Sequence, residues 1–275
     1  MNKRSVVLRI NILLVLIFVL SIIISLQPMT KTKEYNIIYV DDDGTSDYTS
    51  IQDAINAANE NDTIYVYNGT YFENLIIDKP IKLIGENKQN TIIDGKSNGD
   101  VIFLDPSSNY VNISGFTIQN SGIDRYDEGI NIDSDFNKII GNIVKDCNCG
   151  MSLDYWAHNC LIQDNIFTSN NKGISVYSVF PNNNLIFHNN FVKNTMSSYD
   201  NSNGLWDYNG QGNYWDDYTG NDNNGDGIGD TPYNIPGGST QDNYPLMKPY
   251  GTPGFELLIM IIAIAFVIIM LKRKK

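Results

Sequence analysis

The chain has 275 residues and a formal net charge of −12, from 31 acidic and 19 basic side chains. Residues 31–250 hold 30 of the acids but only 12 of the bases, which leaves 18 negative charges uncompensated there. That balance excludes nucleic acid as a partner, since such binding rests on neutralising phosphates with Lys and Arg; divalent cations and a saline medium suit it better.

Lys3 and Arg4 precede an apolar stretch, Ile10 to Leu26, broken only by Asn11, Ser21 and Ser25. Residues 1–30 therefore read as a secretory signal or an uncleaved anchor. Ile37-Ile38-Tyr39-Val40 predicts a strand and Asp41-Asp42-Asp43-Gly44 a turn. Ser50-Ile51-Gln52-Asp53 then resembles a capping box that opens a short helix to about Asn59. Its apolar stripe, Ile51, Ala54, Ile55 and Ala58, suits a lid over the open end of whatever follows. Further strands are expected over residues 63–67, 74–77, 81–84, 91–95 and 101–104.

From Ile113 one phrase is written four times: Ile113-x-Gly115-Phe116-x-Ile118, Ile139-x-Gly141-Asn142-x-Val144, Ile162-x-Asp164-Asn165-x-Phe167 and Ile186-x-His188-Asn189-x-Phe191. The steps are 26, 23 and 24 residues. A period in the twenties with short β segments marks a solenoid whose coils bury their apolar faces by stacking. A second phrase follows each copy: Gly129-Ile130-x-Ile132, Gly150-Met151-x-Leu153, Gly173-Ile174-x-Val176 and Gly204-Leu205. Two internal ladders follow, Ile113/Ile139/Ile162/Ile186 and Ile130/Met151/Ile174/Leu205. Asn142, Asn165 and Asn189 should form a third at a bend, bonding side chain to side chain.

Residues 211–250 read as an acidic module covering the last coil. Within it, Asp222-x-Asn224-x-Asp226-Gly227-Ile228-Gly229-Asp230 presents oxygen ligands at alternating positions, with the Ile228 carbonyl among them, as calcium loops do. The loop departs from an EF-hand in having Tyr233 where the bidentate glutamate belongs, a carboxylate that Asp216, Asp217 or Asp242 would have to supply; a structural Ca2+ is expected, and a polar loop that merely turns the chain is the alternative. In residues 251–275 the apolar run Leu257 to Leu271 precedes Lys272, Arg273, Lys274 and Lys275. This predicts a short transmembrane segment with a cytoplasmic tail and places the body outside the cell. Asn61, Asn68 and Asn112 are formal glycosylation acceptors. Cys147, Cys149 and Cys160 lie within one coil and read as buried or singly bridged.

The segments Asp47-Tyr48-Thr49-Ser50-Ile51-Gln52-Asp53-Ala54-Ile55, Asp62-Thr63-Ile64-Tyr65-Val66-Tyr67-Asn68-Gly69-Thr70-Tyr71 and Leu83-Ile84-Gly85-Glu86 resemble the start of pectin-lyase-like proteins. The repeats look like the carbohydrate-binding and sugar-hydrolase (CASH) subgroup and NosD-like proteins. Gly212-Asn213-Tyr214-Trp215-Asp216-Asp217-Tyr218 and Asp242-Asn243-Tyr244-Pro245-Leu246 are similar to the end of archaeal surface members of that group. The resemblance implies an all-β, single-stranded right-handed parallel β-helix over residues 31–210 with an N-terminal helical cap. Pro253-Gly254-Phe255 before the apolar run resembles the PGF-CTERM sorting signal, which implies exchange of the helix for a lipid anchor; an ordinary single-pass helix is the alternative.

Lyases of this fold use an arginine or lysine base beside acidic calcium ligands. Arg125, the one arginine of the body, with Asp124, Asp127, Glu128 and Asp133 around it, is the candidate catalytic set. Its loop, 121–128, and a long connection at 194–203 should leave the same corner and wall a groove about 14 Å wide. Paired-aspartate and His-Gly signatures of inverting hydrolases are absent. The opening segment also resembles pectin methylesterases, but their Gln-Asp-Thr-Leu segment has no counterpart. Copper is not supported, because His158 and His188 fall at different places in the repeat. The expected function is a non-catalytic, monomeric cell-surface scaffold or glycan-binding module; Tyr155, Trp156, Tyr177, Phe180, Trp206, Tyr208, Tyr214, Trp215 and Tyr218 either stack on sugars or pack in the final coils and their cover. The alternative is a polysaccharide-active lyase or hydrolase working in a groove on the β-helix.

Overall fold

A computed structural model describes residues 35–44, 46–177 and 183–251. The expected signal or anchor and the apolar C-terminal segment with Pro253-Gly254-Phe255 lie outside the described residues. Among the described residues no helix is long and apolar enough to cross a membrane.

Stacked apolar ladders organise residues 36–251 into a parallel β-solenoid of three sheets. Sheet 1 comprises β1 (Ile37–Val40), β2 (Thr63–Val66), β5 (Lys82–Gly85), β8 (Asn112–Ser114), β11 (Lys138–Ile140), β14 (Leu161–Gln163) and β17 (Leu185–Phe187). Sheet 2 comprises β3 (Gly69–Tyr71), β6 (Thr91–Asp94), β9 (Thr117–Gln119), β12 (Ile143–Lys145), β15 (Ile166–Thr168), β18 (Asn190–Val192) and β20 (Tyr214–Trp215). Sheet 3 comprises β4 (Leu75–Ile77), β7 (Ile102–Leu104), β10 (Glu128–Ile132), β13 (Cys149–Leu153), β16 (Lys172–Val176) and β19 (Met196–Asp200). Each coil thus carries three strands. The phrase opening at Ile113 spans sheets 1 and 2, and the glycine phrase is sheet 3.

The register matches the first ladder rung by rung: Ile113 pairs with Ile139, Ile139 with Ile162, and Ile162 with Ile186. Ile130, Met151 and Ile174 stack as expected, but the next rung is Ser198, not Leu205. Leu205 is 53% exposed and bridges to Leu185 in sheet 1. Parallel pairing is a backbone matter, so β19 extends sheet 3 with serines at Ser197 and Ser198. The glycines of the second phrase have a steric cause: a Cβ on Gly150 would meet the Gly173 carbonyl oxygen at 2.6 Å.

Each coil turns three corners, and from β8 onward a residue in the left-handed region marks each of them among the described residues. In the Asn142 ladder these are Gly115, Gly141, Asp164 and His188, so the asparagine follows the left-handed residue rather than adopting that conformation itself. The Oδ1 atoms of Asn142, Asn165, Asn189 and Asn213 each accept the backbone N–H of the rung before: Phe116, Asn142, Asn165 and Asn189. All four asparagines are buried. Asn170 and Asn194 build a second such ladder, and Asn137 and Asn184 serve the third corner.

α1 (Ile51–Ala57) turns Ile51, Ala54 and Ile55 inward. The Ser50 hydroxyl accepts the Asp53 amide, but the second half of the capping box comes from Glu73, whose carboxylate takes the Ile51 and Gln52 amides. At the other end, Phe167, Phe191, Trp215 and Tyr233 form one stack, with centroid spacings of 5.3, 4.3 and 4.2 Å. Asp242, on a hairpin of β21 (Tyr233–Asn234) and β22 (Gln241–Asp242), accepts the Trp215 indole N–H and the Asn213 amide from within the core.

Replacing Asn165 with Ala leaves the Asn142 amide and the Ile139 carbonyl without these side-chain partners inside the solenoid. Unsatisfied buried groups cost about 1–3 kcal/mol each, so Asn165→Ala should lower stability by about 2–4 kcal/mol, read from urea or thermal unfolding. Asn165→Asp keeps the acceptor but loses the donor and buries a charge, so it should not restore stability.

Candidate active site

Sheet 3 presents the site. Residue 131 of β10 faces outward between the inward Ile130 and Ile132, and its rung partners are Phe103, Ser152 and Ser175. One step past the paired Ile132 and Leu153 the chain places Asp133 and Asp154, whose backbone amides bond to Leu104 and Ile132 one coil earlier. The two aspartates therefore occupy neighbouring rungs, about 4.8 Å apart along the solenoid. Asp78 and Asp105 follow β4 and β7 in the same way, making a column of acids at the end of sheet 3.

Arg125, Tyr126, Glu128, Asp133, Asp154, Tyr155, Trp156 and Tyr177 line a cavity of about 420 Å³ on this face. Three residues of the expected catalytic set, Arg125, Glu128 and Asp133, are thus brought together. Asp124 and Asp127 instead shape the loop, the Asp127 carboxylate accepting the Asp124 amide at 2.8 Å. Arg125 makes no ion pair among the described residues; its guanidinium lies 5.3 Å from the Tyr126 ring centroid. The expected second wall is not there. Residues 193–195 are a short turn and Met196–Asp200 is β19, because Asn194 belongs to the corner ladder and holds that connection to the length of its neighbours.

Burial and crowding set the acidities. Glu128 is only 5% exposed, one of its oxygens has no partner, and its carboxyl is pushed up to about 9 by burial, then by the hydrogen bond and charge of Asp100, then by Asp154 and Asp127. Asp154 is pushed up to about 6 by burial, Asp133 and Asp100. Burial also raises Asp133, against the hydrogen bond from the Trp156 backbone. Both carboxyls, on neighbouring rungs, thus keep a proton to higher pH than an ordinary aspartate.

The other candidates are placed as follows. Asp222 accepts the amides of Gly225, Asp226 and Gly227, Asp226 accepts that of Ile228, and Asp230 accepts both nitrogens of Asn223. With Asn224 bonded to Asp226, these oxygens serve the loop's own turns. No cluster of three or more His, Cys, Asp or Glu suited to a metal occurs among the described residues. Cys147, Cys149 and Cys160 are buried free thiols, pushed up by burial to about 11, 12 and 12. Asn61 is exposed with a left-handed backbone, Asn68 accepts the Thr91 hydroxyl, and Asn112 sits inside β8. Of the expected sugar-stacking rings, Tyr155 and Trp156 are exposed at the cavity, whereas Trp206 and Trp215 are core.

A family model for pectinesterase matches residues 37–136. Over 78 residues the chain is 41% identical to the probable pectinesterase/pectinesterase inhibitor 6 of Arabidopsis thaliana, an alignment covering 25% of this chain and 14% of that protein's length. Among solved structures, the pectin methylesterase from carrot is similar at a TM-score of 0.43 and 15% identity, over 64% of this chain and 73% of that one. The pectin methylesterase PemA from Erwinia chrysanthemi is similar at 0.37 and 16%, over 66% and 60%. The expectation of a non-catalytic scaffold or glycan-binding module is overturned. The model that matches residues 37–136 describes a family named for a catalysed reaction, and Arg125, Glu128 and Asp133 lie within that match. The aspartate pair was missed because it was sought as a local motif. Its signal was the recurrence Ile77-Asp78, Leu104-Asp105, Ile132-Asp133, Leu153-Asp154, in which an aspartate follows the last residue of the first four sheet-3 strands.

Glu128 also sets a pH dependence. Its folded value, about 9, lies above the ordinary 4.5, so the folded chain keeps a proton that the unfolded chain releases. By linkage its contribution to stability falls as pH rises from about 4.5 to about 9. Unfolding followed across that window should show a steeper loss for the wild type than for Glu128→Gln.

Proposed function

We propose that the sheet-3 cavity is the active site of a polysaccharide-active hydrolase that cleaves esters on an acidic polysaccharide of the pectin type. The pectinesterase match over residues 37–136 and the Arabidopsis relative support the substrate class. The observation that carries the reading is the pair Asp133 and Asp154 on neighbouring rungs, both with raised pKa. In ester hydrolysis the ionised member of such a pair takes a proton from water as the water oxygen bonds to the ester carbonyl. The protonated member steadies the developing oxyanion by a hydrogen bond and gives its proton to the alcohol as the C–O bond breaks, so the two side chains end with their protonation states exchanged. Glu128, neutral at pH 7, lines the same cavity without adding negative charge, and Arg125 brings positive charge to the rim of an otherwise acidic cleft. Tyr155, Trp156 and Tyr177 supply the faces on which a sugar ring rests.

Methanol release from methyl-esterified pectin by the full chain tests this. Asp133→Asn and Asp154→Asn should each reduce turnover by about a thousandfold or more, in the range of lost acid–base and nucleophilic groups, while retention on pectin persists. Release of unsaturated products would point to elimination instead, and activity surviving both substitutions would sink the assignment. Activity of the wild type should fall as pH rises through about 6, where Asp154 gives up its proton.

Export, and surface attachment through residues 251–275, belong to the same proposal, since the apolar run and basic tail favour them. Calcium in the 222–230 loop is proposed as a stabiliser on its oxygen pattern alone, and no step of the chemistry runs through it. A melting temperature unchanged by chelator would remove it.

A further inference from the structure

A second cavity of about 410 Å³ adjoins the first and shares Asp133 and Trp156 with it. Its remaining wall includes Asn109, Asp135 and His158. The residues that follow Asn109 and Asp135, namely Tyr110 and Phe136, turn the corner between sheets 3 and 1. Their rings are parallel, 5.0 Å apart with planes 7° from coincidence, and exposed by 64% and 41%.

The backbone at this corner gives the pair its meaning. Tyr110, Phe136, Asn159 and Asn183 fill the same position in four successive coils, two residues before the paired Asn112, Lys138, Leu161 and Leu185. All four are left-handed, with φ of 65°, 59°, 55° and 50°. Asparagine is at home there, and Asn183 donates to Asn159 along the rung. Tyrosine and phenylalanine are not at home there. Large rings held in a disfavoured backbone region and left in water cost stability twice, and such costs gather at binding sites.

We infer that the Tyr110–Phe136 platform is an additional carbohydrate subsite, taking a sugar residue of the polysaccharide beyond those seated in the cavity at Asp133 and Asp154. The occupant follows from continuity: a chain leaving the first cavity past Trp156 crosses the second and reaches the two rings. Asp135 is held to His158 at 2.8 Å on the way, and its acceptor oxygens suit sugar hydroxyls. This inference rests on the polysaccharide reading of the neighbouring cavity, but binding is measured separately from turnover.

The decisive variants are Tyr110→Asn and Phe136→Asn, alone and together, which install the residue that the same corner carries in the next two coils. A merely structural role predicts a lower melting temperature. The subsite predicts the reverse pair of changes: an unchanged or higher melting temperature, with retention on methyl-esterified pectin weakened about tenfold in the double variant, the order of losing two aromatic contacts. Retention is read by affinity electrophoresis in gels containing that polymer. In turnover assays KM for long oligomers should rise while kcat stays, and dimers should be unaffected. Undiminished retention by the double variant would overturn the subsite. Loss of turnover by Asp133→Asn with retention intact speaks only to the chemistry, so the two readings fail separately.

Discussion

Everything in the body depends on how backbone amides are satisfied where the chain turns a corner. Between strands the parallel ladders take care of N–H and C=O groups, but each coil bends three times, and each bend leaves an amide facing inward. The buried asparagines answer this by accepting that amide with Oδ1 while donating to carbonyls and to the next asparagine, so one column is both turn and hydrogen-bond ladder. Because an asparagine column works only if its rungs are in register, it holds the aliphatic ladders in register too. Asp133 and Asp154 become neighbours for that reason alone: the coil between them is 21 residues long, and the ladders permit no slip.

The same regularity explains the electrostatics of the site. Stacking brings identical positions within one strand spacing, which suits apolar and amide side chains and punishes like charges. Where that column is also buried protons are retained, and Glu128, Asp133 and Asp154 lie together on sheet 3 with raised pKa values, whereas the exposed side of the column at Asp105 is lowered by its hydrogen bonds to Ser107.

Much of this was legible in the amino-acid sequence. The Ile113 phrase yields the register, the asparagine ladder and the inward ladders, because periodic burial leaves a periodic signature. The capping helix was readable from its stripe, although Glu73, which completes its cap, is 22 residues from the Ile51 amide it accepts and leaves no local trace. Two errors share a cause: the sheet-3 rung at Ser198 and the supposed loop at 194–203 both followed from requiring an apolar residue wherever a strand continues. The aspartate pair escaped notice because its members are adjacent through the coil, not along the chain. The corner aromatics escaped because φ at Tyr110 and Phe136 is dictated by neighbouring coils, while their own residue types argue against it.

The two ends of the solenoid are built unlike its middle, α1 at one and the Phe167–Phe191–Trp215–Tyr233 stack at the other. Between them, the coils beginning at Ile139 and Ile162 repeat the same register and the same asparagine at the corner between sheets 1 and 2. The length of the molecule is thus a free parameter. Gain or loss of one whole coil would lengthen or shorten the outer face by a single strand spacing and leave both terminal structures intact, whereas an insertion of any other size would have to be carried as a loop. Change in this architecture comes in quanta of about two dozen residues, and the reach of its outer sheet-3 face would change in the same steps.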